Sequence, residues 1–301
     1  MAGNIGQNND IDDTAQISPY VIIGSYNYIG KNVVIGGFKG HSQESISIGD
    51  CNYIHDNTRI LMGPDGLSIG DWNVFHNSML VMGEQRMEIG HNCWFGQNTI
   101  LDSAGGLFIG NGVRVGMYSQ IWTHVASGEL VEGCTLFAER PTYIEDEVWL
   151  VGSCIVASGL RIRRRSICLA GSNVTKDTEP GKVYGGAPAK QLERLNFWRE
   201  VSLNEKTEMM LSWARQFAEQ SEEDIEIVYD SESGRIELTS RVRQEKLIIG
   251  GDKPTNLSCQ STTYFDLMSK SYTKRLTLLE RQFYKYLYGH KARFVPDPEA
   301  T

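Results

Sequence analysis

One histidine is the clearest candidate for chemistry, because it ends a regular pattern and begins an irregular segment. His124 closes the stretch I-G-N-G-V-R-V-G-M-Y-S-Q-I-W-T-H, and a second regular stretch, Y-I-E-D-E-V-W-L-V-G-S-C, begins at Tyr143. An imidazole can take up and release a proton near neutral pH, so it can act as a general base when an alcohol or amine attacks a carbonyl carbon. His124 is therefore the candidate catalytic base, and a solvated loop histidine is the alternative.

A histidine base needs a group that orients its second ring nitrogen, usually a carboxylate or a backbone carbonyl. Four glutamates lie within plausible reach along the sequence, and the sequence does not choose among them: Glu129, Glu132, Glu139 and Glu145.

A second pair of histidines suggests metal binding. His55 and His76 occupy the same position of the repeat described next, so their side chains could stack at one corner. A catalytic zinc usually has three protein ligands, and the corresponding positions in the following repeats are Gly96 and Gly116. We expect no metal, and interpret the pair as stacked polar side chains.

The elements that must position His124 follow from a six-residue repeat. Aliphatic or aromatic residues recur every six positions in seven triplets, which begin at Ile23, Ile48, Ile69, Ile89, Ile109, Ile144 and Ile162. Three hexads would form one triangular coil, and coils stacked at the spacing of β-strands bury a continuous core. The pattern predicts an all-β solenoid. Helices do not explain it, because six is not a multiple of 3.6.

The spacing of the coils sets one of them apart. Successive coils begin at 48, 69, 89 and 109, and each of the first three carries a short insertion after its third hexad. The coil that begins at Ile109 is interrupted by a long segment, residues 122–142, which contains His124. A long loop within a compact repeat usually has a function.

Composition narrows the possible classes of protein. The chain has 301 residues, a formal net charge of -8 and a pI near 5.4, which argues against nucleic-acid binding because phosphates attract a basic surface. Its first residues lack the pattern of a secretory signal, and no apolar run is long enough to span a membrane. Six cysteines form no CxxC pair, so we expect a cytoplasmic protein with reduced cysteines.

The ordered set of features resembles a known family. The coil lengths, the histidine loop, the E-D-E-V-W restart and the V-T-K-D…G-G-A-P-A-K exit are similar to those of the hexapeptide-repeat acyltransferases, in the branch of galactoside, maltose and xenobiotic O-acetyltransferases. The resemblance covers residues 20 to 194. It implies a left-handed parallel β-helix of about seven coils, and a homotrimer with its acyl-transfer site between neighbouring subunits.

The same resemblance assigns roles to individual residues. His124 would be the general base. The acceptor would lie against the preceding coil, where the family's asparagine is replaced by Gly96 and where Gln97, Asn98 and Asp102 are polar candidates; hydrogen bonding at the repeat corners explains these three equally well. The donor, acetyl-CoA, would be held by residues of the later coils: Trp149, Gly152, Ala170, Thr175, Lys176 and Lys190. Charged lysines suit the phosphates of coenzyme A.

We therefore expect an acetyl-CoA-dependent O-acetyltransferase that acts on a sugar hydroxyl in bacterial surface-polysaccharide biosynthesis. An N-acyltransferase that acts on an amino sugar is the nearest alternative. A non-catalytic β-helix scaffold and a metal-dependent hydratase are alternatives from other classes.

Beyond residue 194 the repeat stops, and residues 195–301 form a separate predicted domain of the α+β type. Its sequence predicts a helix from Phe197 to Gln220, a β-hairpin, a third strand at K-L-I-I-G and a helix from Thr273 to Tyr288. The second helix has basic flanks, and we expect a packed helix with a solvated basic face; contact with an anionic membrane surface is the alternative.

Overall fold

The computed structural model describes residues 5–38, 45–126, 128–252 and 259–297. Internal contacts divide the chain into two compact units, Met1–Trp198 and Arg199–Thr301.

The first unit is a parallel β-helix built from three sheets, and each coil contributes one strand to each sheet. Sheet one contains Asp10–Ile11, Tyr28–Ile29, Tyr53–Ile54, Val74–Phe75, Trp94–Phe95, Arg114–Val115, Trp149–Leu150, Ile167–Cys168, Val183–Gly185 and, antiparallel, Lys190–Gln191. Sheet two contains Gln16–Ile17, Val34–Gly37, Arg59–Met62, Leu80–Gly83, Ile100–Asp102, Gln120–Ile121, Ile155–Val156 and Asn173–Val174. Sheet three contains Val21–Ile23, Ile46–Ile48, Leu67–Ile69, Met87–Ile89, Leu107–Ile109, Thr142–Ile144 and Arg161–Ile162.

The hexad residues form the core of this unit. The predicted inward residues stack in register, as in Phe75 against Phe95, whose rings lie 5.0 Å apart. Both are fully buried, and so is Val115 in the next coil. Burial of such columns provides the main stabilisation, because no single coil encloses a core of its own.

Three corners connect the sheets of each coil. The first corner joins sheet one to sheet two, the second joins sheet two to sheet three, and the third joins sheet three to sheet one of the next coil. Many corners contain a residue in the left-handed region, such as Asn98 and Tyr118 at the first corner, which turns the chain within very few residues.

The prediction of a left-handed parallel β-helix followed by an α+β region is confirmed. The β-helix extends further toward the N-terminus than predicted. Ile5 pairs with Ile23, and the strands Asp10–Ile11 and Gln16–Ile17 extend sheets one and two. The period of six was visible there too, at Ile5, Ile11 and Ile17.

The predicted long loop leaves the β-helix at the second corner. Its two arms, His124–Ala126 and Phe137–Glu139, form an antiparallel pair, with a short 3₁₀ helix at Leu130–Glu132 between them. The chain returns to sheet three at Thr142. The loop is therefore a β-hairpin with the candidate base at its first position.

The second unit contains a six-stranded sheet and two helices. The strands, in spatial order, are Ile225–Asp230, Arg235–Ser240, Lys246–Gly250, Thr262–Asp266, Ser271–Tyr272 and Val295–Pro296. Helix α1 spans Leu203–Gln220 and helix α2 spans Leu278–Leu287. The predicted hairpin and third strand are present; the last three strands were not predicted.

Both helices begin later than predicted, and capping explains why. Ser202 accepts a hydrogen bond from the amide of Glu205, whose carboxylate accepts from the amide of Ser202, so a capping box fixes the start of α1. Thr277 caps α2 in a similar way. Glu280 of α2 is fully buried, and its carboxyl accepts from the Thr263 hydroxyl and from two backbone amides.

Within the described residues, no helix is both long enough and apolar enough to cross a membrane.

The cysteines form no disulfide, and four of them are buried in the β-helix: Cys51, Cys93, Cys154 and Cys168. Burial raises the pKa of the Cys168 thiol to about 12, and the neighbouring Cys154 acts in the same direction. These thiols pack as small apolar side chains.

Candidate active site

His124 is hydrogen-bonded to a buried carboxylate. Its Nδ1 lies 2.9 Å from Oδ2 of Asp102, whose side chain is only 3% exposed, whereas that of His124 is 39% exposed. The carboxylate accepts this bond when Nδ1 carries the proton, and Nε2 then retains its lone pair. The pair has the geometry of a histidine base and the group that orients it.

The carboxylate is itself held in place by the loop. Oδ2 of Asp102 also accepts from the backbone amide and from the hydroxyl of Thr123, at 3.0 and 2.8 Å. Three donors therefore converge on one oxygen. Such bonds to a charged acceptor are stronger than neutral ones, so the position of Asp102 is well determined.

The stacking of coils brings these distant residues together. Asp102 ends the strand Ile100–Asp102, in register with Met82 of the preceding coil. Thr123 and His124 follow the strand Gln120–Ile121 of the next coil, at the point where the chain leaves sheet two. Because one coil lies directly above the other, residues about twenty positions apart meet at the second corner.

An aromatic side chain borders the pair. The ring of Trp122 meets that of His124 edge to face, at 5.8 Å and 81°. Its indole nitrogen donates to Oε1 of Gln120 at 3.1 Å. Trp122 therefore forms one wall beside the imidazole, and no sequence signal had singled it out.

None of the four glutamates considered as partners of His124 is hydrogen-bonded to its imidazole. Glu139 is opposite His124 in the hairpin and is exposed, as are Glu129 and Glu132. Glu145 begins the third corner and contacts Arg161 and Arg163. Burial opposes ionisation of Glu145, but hydrogen bonds from the Arg164 amide and the Arg161 side chain outweigh it, so its pKa lies below the ordinary value. The partner is Asp102, which the sequence had placed among the candidate acceptor contacts.

Two other predicted acceptor contacts lie at a different corner. Gln97 and Asn98 are at the first corner, and the strand Ile100–Asp102 separates them from the second. Four residues of extended chain span about 13 Å. Within one chain, Asn98 is therefore remote from Asp102. The side-chain amide of Gln97 instead donates to the sulfur of Met117 in the next coil.

The predicted donor-binding residues occupy more than one edge of the β-helix. Gly152 and Ala170 follow sheet-one strands at the first corner, in the same stack as Gln97. Trp149 is on sheet one and is 46% exposed, and Lys190 pairs beside Gly185 at the end of that sheet. Thr175 and Lys176 follow Asn173–Val174 at the second corner and are exposed.

His55 and His76 stack as predicted, with ring centroids 5.2 Å apart and an angle of 12° between the rings. Tyr28 and Trp94 continue the aromatic contacts on either side. Partial burial lowers the pKa of His76, and the neighbouring His55 lowers it further. Among the described residues, no group of three histidine, cysteine or carboxylate side chains is arranged to hold a metal ion.

The chain is similar in sequence to acyltransferases of known function. It is 32% identical over 116 residues to galactoside O-acetyltransferase of Lactococcus lactis subsp. lactis, a match that covers 38% of this chain and 56% of that protein. It is 30% identical over 161 residues to UDP-3-O-acylglucosamine N-acyltransferase of Methylobacterium nodulans, covering 52% and 43%. The chain spans about half the length of the curated relatives it matches.

Solved structures of similar type include the polysialic acid O-acetyltransferase OatWY, at 19% identity and a TM-score of 0.39, covering 67% of this chain and 93% of that one. Another is the hexapeptide-repeat containing acetyltransferase VCA0836 of Vibrio cholerae in complex with acetyl coenzyme A, at 19% identity and a TM-score of 0.28, covering 65% and 73%. No protein-family model matches the chain.

The curated relatives share one class of reaction by name, the transfer of an acyl group, and differ in whether oxygen or nitrogen receives it. They agree with the resemblance to acyltransferases found in the sequence. They do not separate the galactoside, maltose and xenobiotic branch from the others.

Proposed function

We propose that this protein is an acetyl-CoA-dependent O-acetyltransferase that acts on a sugar hydroxyl, in the biosynthesis of a bacterial surface polysaccharide. The observation that carries the proposal is the 2.9 Å contact between His124 and the buried Asp102, at the start of the only long loop in the described coils. The similarity to a galactoside O-acetyltransferase supports the choice of reaction.

In the proposed mechanism, Nε2 of His124 removes the proton from the sugar hydroxyl as its oxygen attacks the thioester carbonyl carbon. The Nδ1–H group donates to Asp102, which stabilises the imidazolium as it forms. Backbone amides stabilise the oxyanion. When the tetrahedral intermediate collapses, the carbon–sulfur bond breaks and the imidazolium returns the proton to the thiolate of coenzyme A.

In this proposal, the two predicted parts of the site come from different copies of the chain. The base lies at the second corner, whereas Gly152 and Ala170 lie at the first. A homotrimer of the predicted kind would bring the second corner of one subunit against the first corner of its neighbour.

Acetyl transfer tests the assignment of the base. We expect His124→Ala to lower kcat about 10²- to 10⁴-fold, the usual contribution of a general base, with little change in the Kd for acetyl-CoA. The assay follows labelled acetyl groups from acetyl-CoA into a panel of galactosides and polysaccharide oligomers. An unchanged rate in the variant would refute the role of His124.

Calorimetry tests the donor separately. We expect wild type to bind acetyl-CoA, and the double variant Lys176→Ala/Lys190→Ala to bind it at least about tenfold more weakly, because two cations that face phosphates are removed. Lys182→Ala is a control on another exposed lysine. If wild type does not bind acetyl-CoA, the non-catalytic scaffold becomes the better hypothesis.

N-acyl transfer to an amino sugar is the second candidate, because several curated relatives are N-acyltransferases by name. The same histidine could remove the proton from an attacking amine. Mild alkali distinguishes the two products: an O-acetyl ester is hydrolysed, whereas an N-acetyl amide survives.

A further inference from the structure

A cleft lies on the outer face of sheet three, apart from the His124 site. Its volume is about 390 Å³, which is within the range of small-molecule sites. The strands Leu107–Ile109 and Thr142–Ile144 form its floor, and the third corner of the next coil forms one wall. None of the residues assigned above to the base, the acceptor or the donor lines it.

The floor of the cleft is aromatic. Phe108 and Tyr143 occupy paired positions on adjacent strands, and their rings stack at 5.1 Å with an angle of 13°. The guanidinium of Arg161 covers the far side of the Tyr143 ring, at 4.3 Å from its centroid. Three planar groups therefore form a column along the coils.

The column ends at Phe108. The residue paired with it on the preceding strand is Glu88, which is exposed and pairs with Arg86 at 3.1 Å. One face of the Phe108 ring packs against Tyr143, and no aromatic ring from the described part of the chain stacks on the other. Phe108 therefore has a ring face available to a ligand.

The polar groups around this ring are suited to hydroxyl groups. The Tyr143 hydroxyl makes no hydrogen bond to any described residue, although its ring is half-buried. The carboxylates of Glu88 and Glu145 can accept, and Arg164 can donate. An apolar surface with convergent donors and acceptors is typical of sites for small polar ligands.

The charges argue against an anionic ligand. Three carboxylates line the cleft, Glu88, Glu145 and Asp146, against two guanidinium groups, Arg161 and Arg164. Arg161 is already paired with Glu145, at 3.3 Å. Arg164 is paired with Glu147, and Arg86 and Arg163 pair with Glu88 and Glu145 from outside the cleft. The local charges are therefore balanced, and both guanidinium groups of the cleft already have a carboxylate partner in place of an anionic ligand.

We propose that this cleft binds an uncharged pyranose unit of a glycan, with the C–H face of the sugar on Phe108 and its hydroxyls bonded to Tyr143 and Glu88. A pyranose has one apolar face and a rim of hydroxyls, which matches a ring surrounded by polar groups. The site is separate from acetyl transfer and does not depend on it. It would let the protein hold a polymer at a point other than the one that reacts.

A glycan array probed with the intact protein tests this inference. The array carries neutral oligosaccharides, including galactosides, glucans and N-acetylhexosamine oligomers, beside uronic-acid and sialic-acid glycans. We expect binding to neutral glycans, at least about tenfold weaker in Phe108→Ala, because a stacking ring is lost. Phe197→Ala removes a ring that is 61% exposed in the same unit and serves as the matched control.

Two further measurements distinguish a separate glycan site from binding at the histidine and from a contact between subunits. Phe108→Ala should weaken array binding as much in the His124→Ala background as in the wild-type background; a weakening that appears only when His124 is intact would place the glycan at the histidine and overturn the inference. Light scattering should give the same mass for wild type and Phe108→Ala; a smaller mass would make the cleft a contact between subunits and overturn it as well. The inference is also overturned if the protein binds only acidic glycans, if it binds no glycan, or if Phe108→Ala binds as well as wild type.

Discussion

Oδ2 of Asp102 accepts three hydrogen bonds, two from Thr123 and one from His124. This oxygen therefore does two things: it fastens the start of the hairpin, and it holds the imidazole with Nε2 available. The amide and hydroxyl of Thr123 both donate to residue 102, so they would orient a side-chain oxygen toward themselves in either aspartate or asparagine. The orientation of His124 and its electrostatic support can thus be separated by mutation.

We expect Asp102→Asn to lower kcat about tenfold to 100-fold and Asp102→Ala to lower it about 10²- to 10⁴-fold. Asparagine still offers an oxygen to Thr123 and His124 but lacks the charge that stabilises the imidazolium, whereas alanine lacks both. Steady-state kinetics would measure kcat and KM, with calorimetry for the Kd of acetyl-CoA. A merely structural role would lower the melting temperature and change both variants alike, and that result would contradict the prediction.

The sequence singled out His124 as the candidate base but did not predict that Asp102 is its hydrogen-bond partner, and the reason is geometric. Glutamates of the loop are close to His124 along the chain, whereas Asp102 is 22 residues away. Only the register between coils shows that Asp102 lies directly beneath the loop, and the short insertions after each third hexad shift that register. The spacing of six predicts the strands well, but not which corner residues meet.

At the third corner, successive coils are joined by a ladder of side-chain acceptors. The amide of Asp50 donates to Asp71, that of Asp71 to His91, and that of His91 to Asn111, at 2.8 to 2.9 Å. The amide of Asn111 donates in turn to Asp146. Each coil thus satisfies a backbone donor of its neighbour, which aligns the stack in addition to the apolar core.

His91 is the one imidazole in this ladder, and Nδ1 can accept the Asp71 amide only when it carries no proton. We expect His91→Asn to keep the free energy of unfolding within about 0.5 kcal/mol, because asparagine supplies the acceptor found in the next coil. We expect His91→Ala to lose about 1 to 3 kcal/mol, because a buried amide loses its acceptor. Urea unfolding would measure both variants.

Hydrogen exchange at residues 69–73 would localise the effect, with faster exchange expected in His91→Ala alone. Equal exchange and equal stability in the two variants would show that this hydrogen bond does not stabilise the coils.

The elements that the sequence missed share a physical cause. In the second unit, Thr262–Asp266 pairs in parallel with Lys246–Gly250, and Val295–Pro296 closes the edge from far along the chain. Such pairings depend on distant partners, and local periodicity does not report them. The first two strands of this unit form a hairpin across a short turn, and that local pairing was predicted correctly.

At the scale of the whole molecule, the β-helix places the proposed sites on different edges. The proposed base, His124, lies at the second corner, the stack that contains Gln97, Gly152 and Ala170 runs along the first, and the aromatic cleft opens on sheet three. A rigid triangular coil cannot bring two of its own corners together. If the first corner binds the donor, as proposed, acetyl transfer requires two copies of the chain.

Mixing two inactive variants tests this requirement. His124→Asn removes the base, and Ala170→Trp places a large side chain at the exposed first-corner position; we expect each homotrimer to be inactive. Co-expression in equal amounts should restore about a quarter of wild-type activity, because a random trimer joins an intact second corner to an intact first corner at about one site in four. The measurement is acetyl transfer by the purified mixture, with light scattering to establish its mass. A mixture that stays as inactive as its parents would mean that base and donor meet within one chain, and the first corner would lose its assigned role.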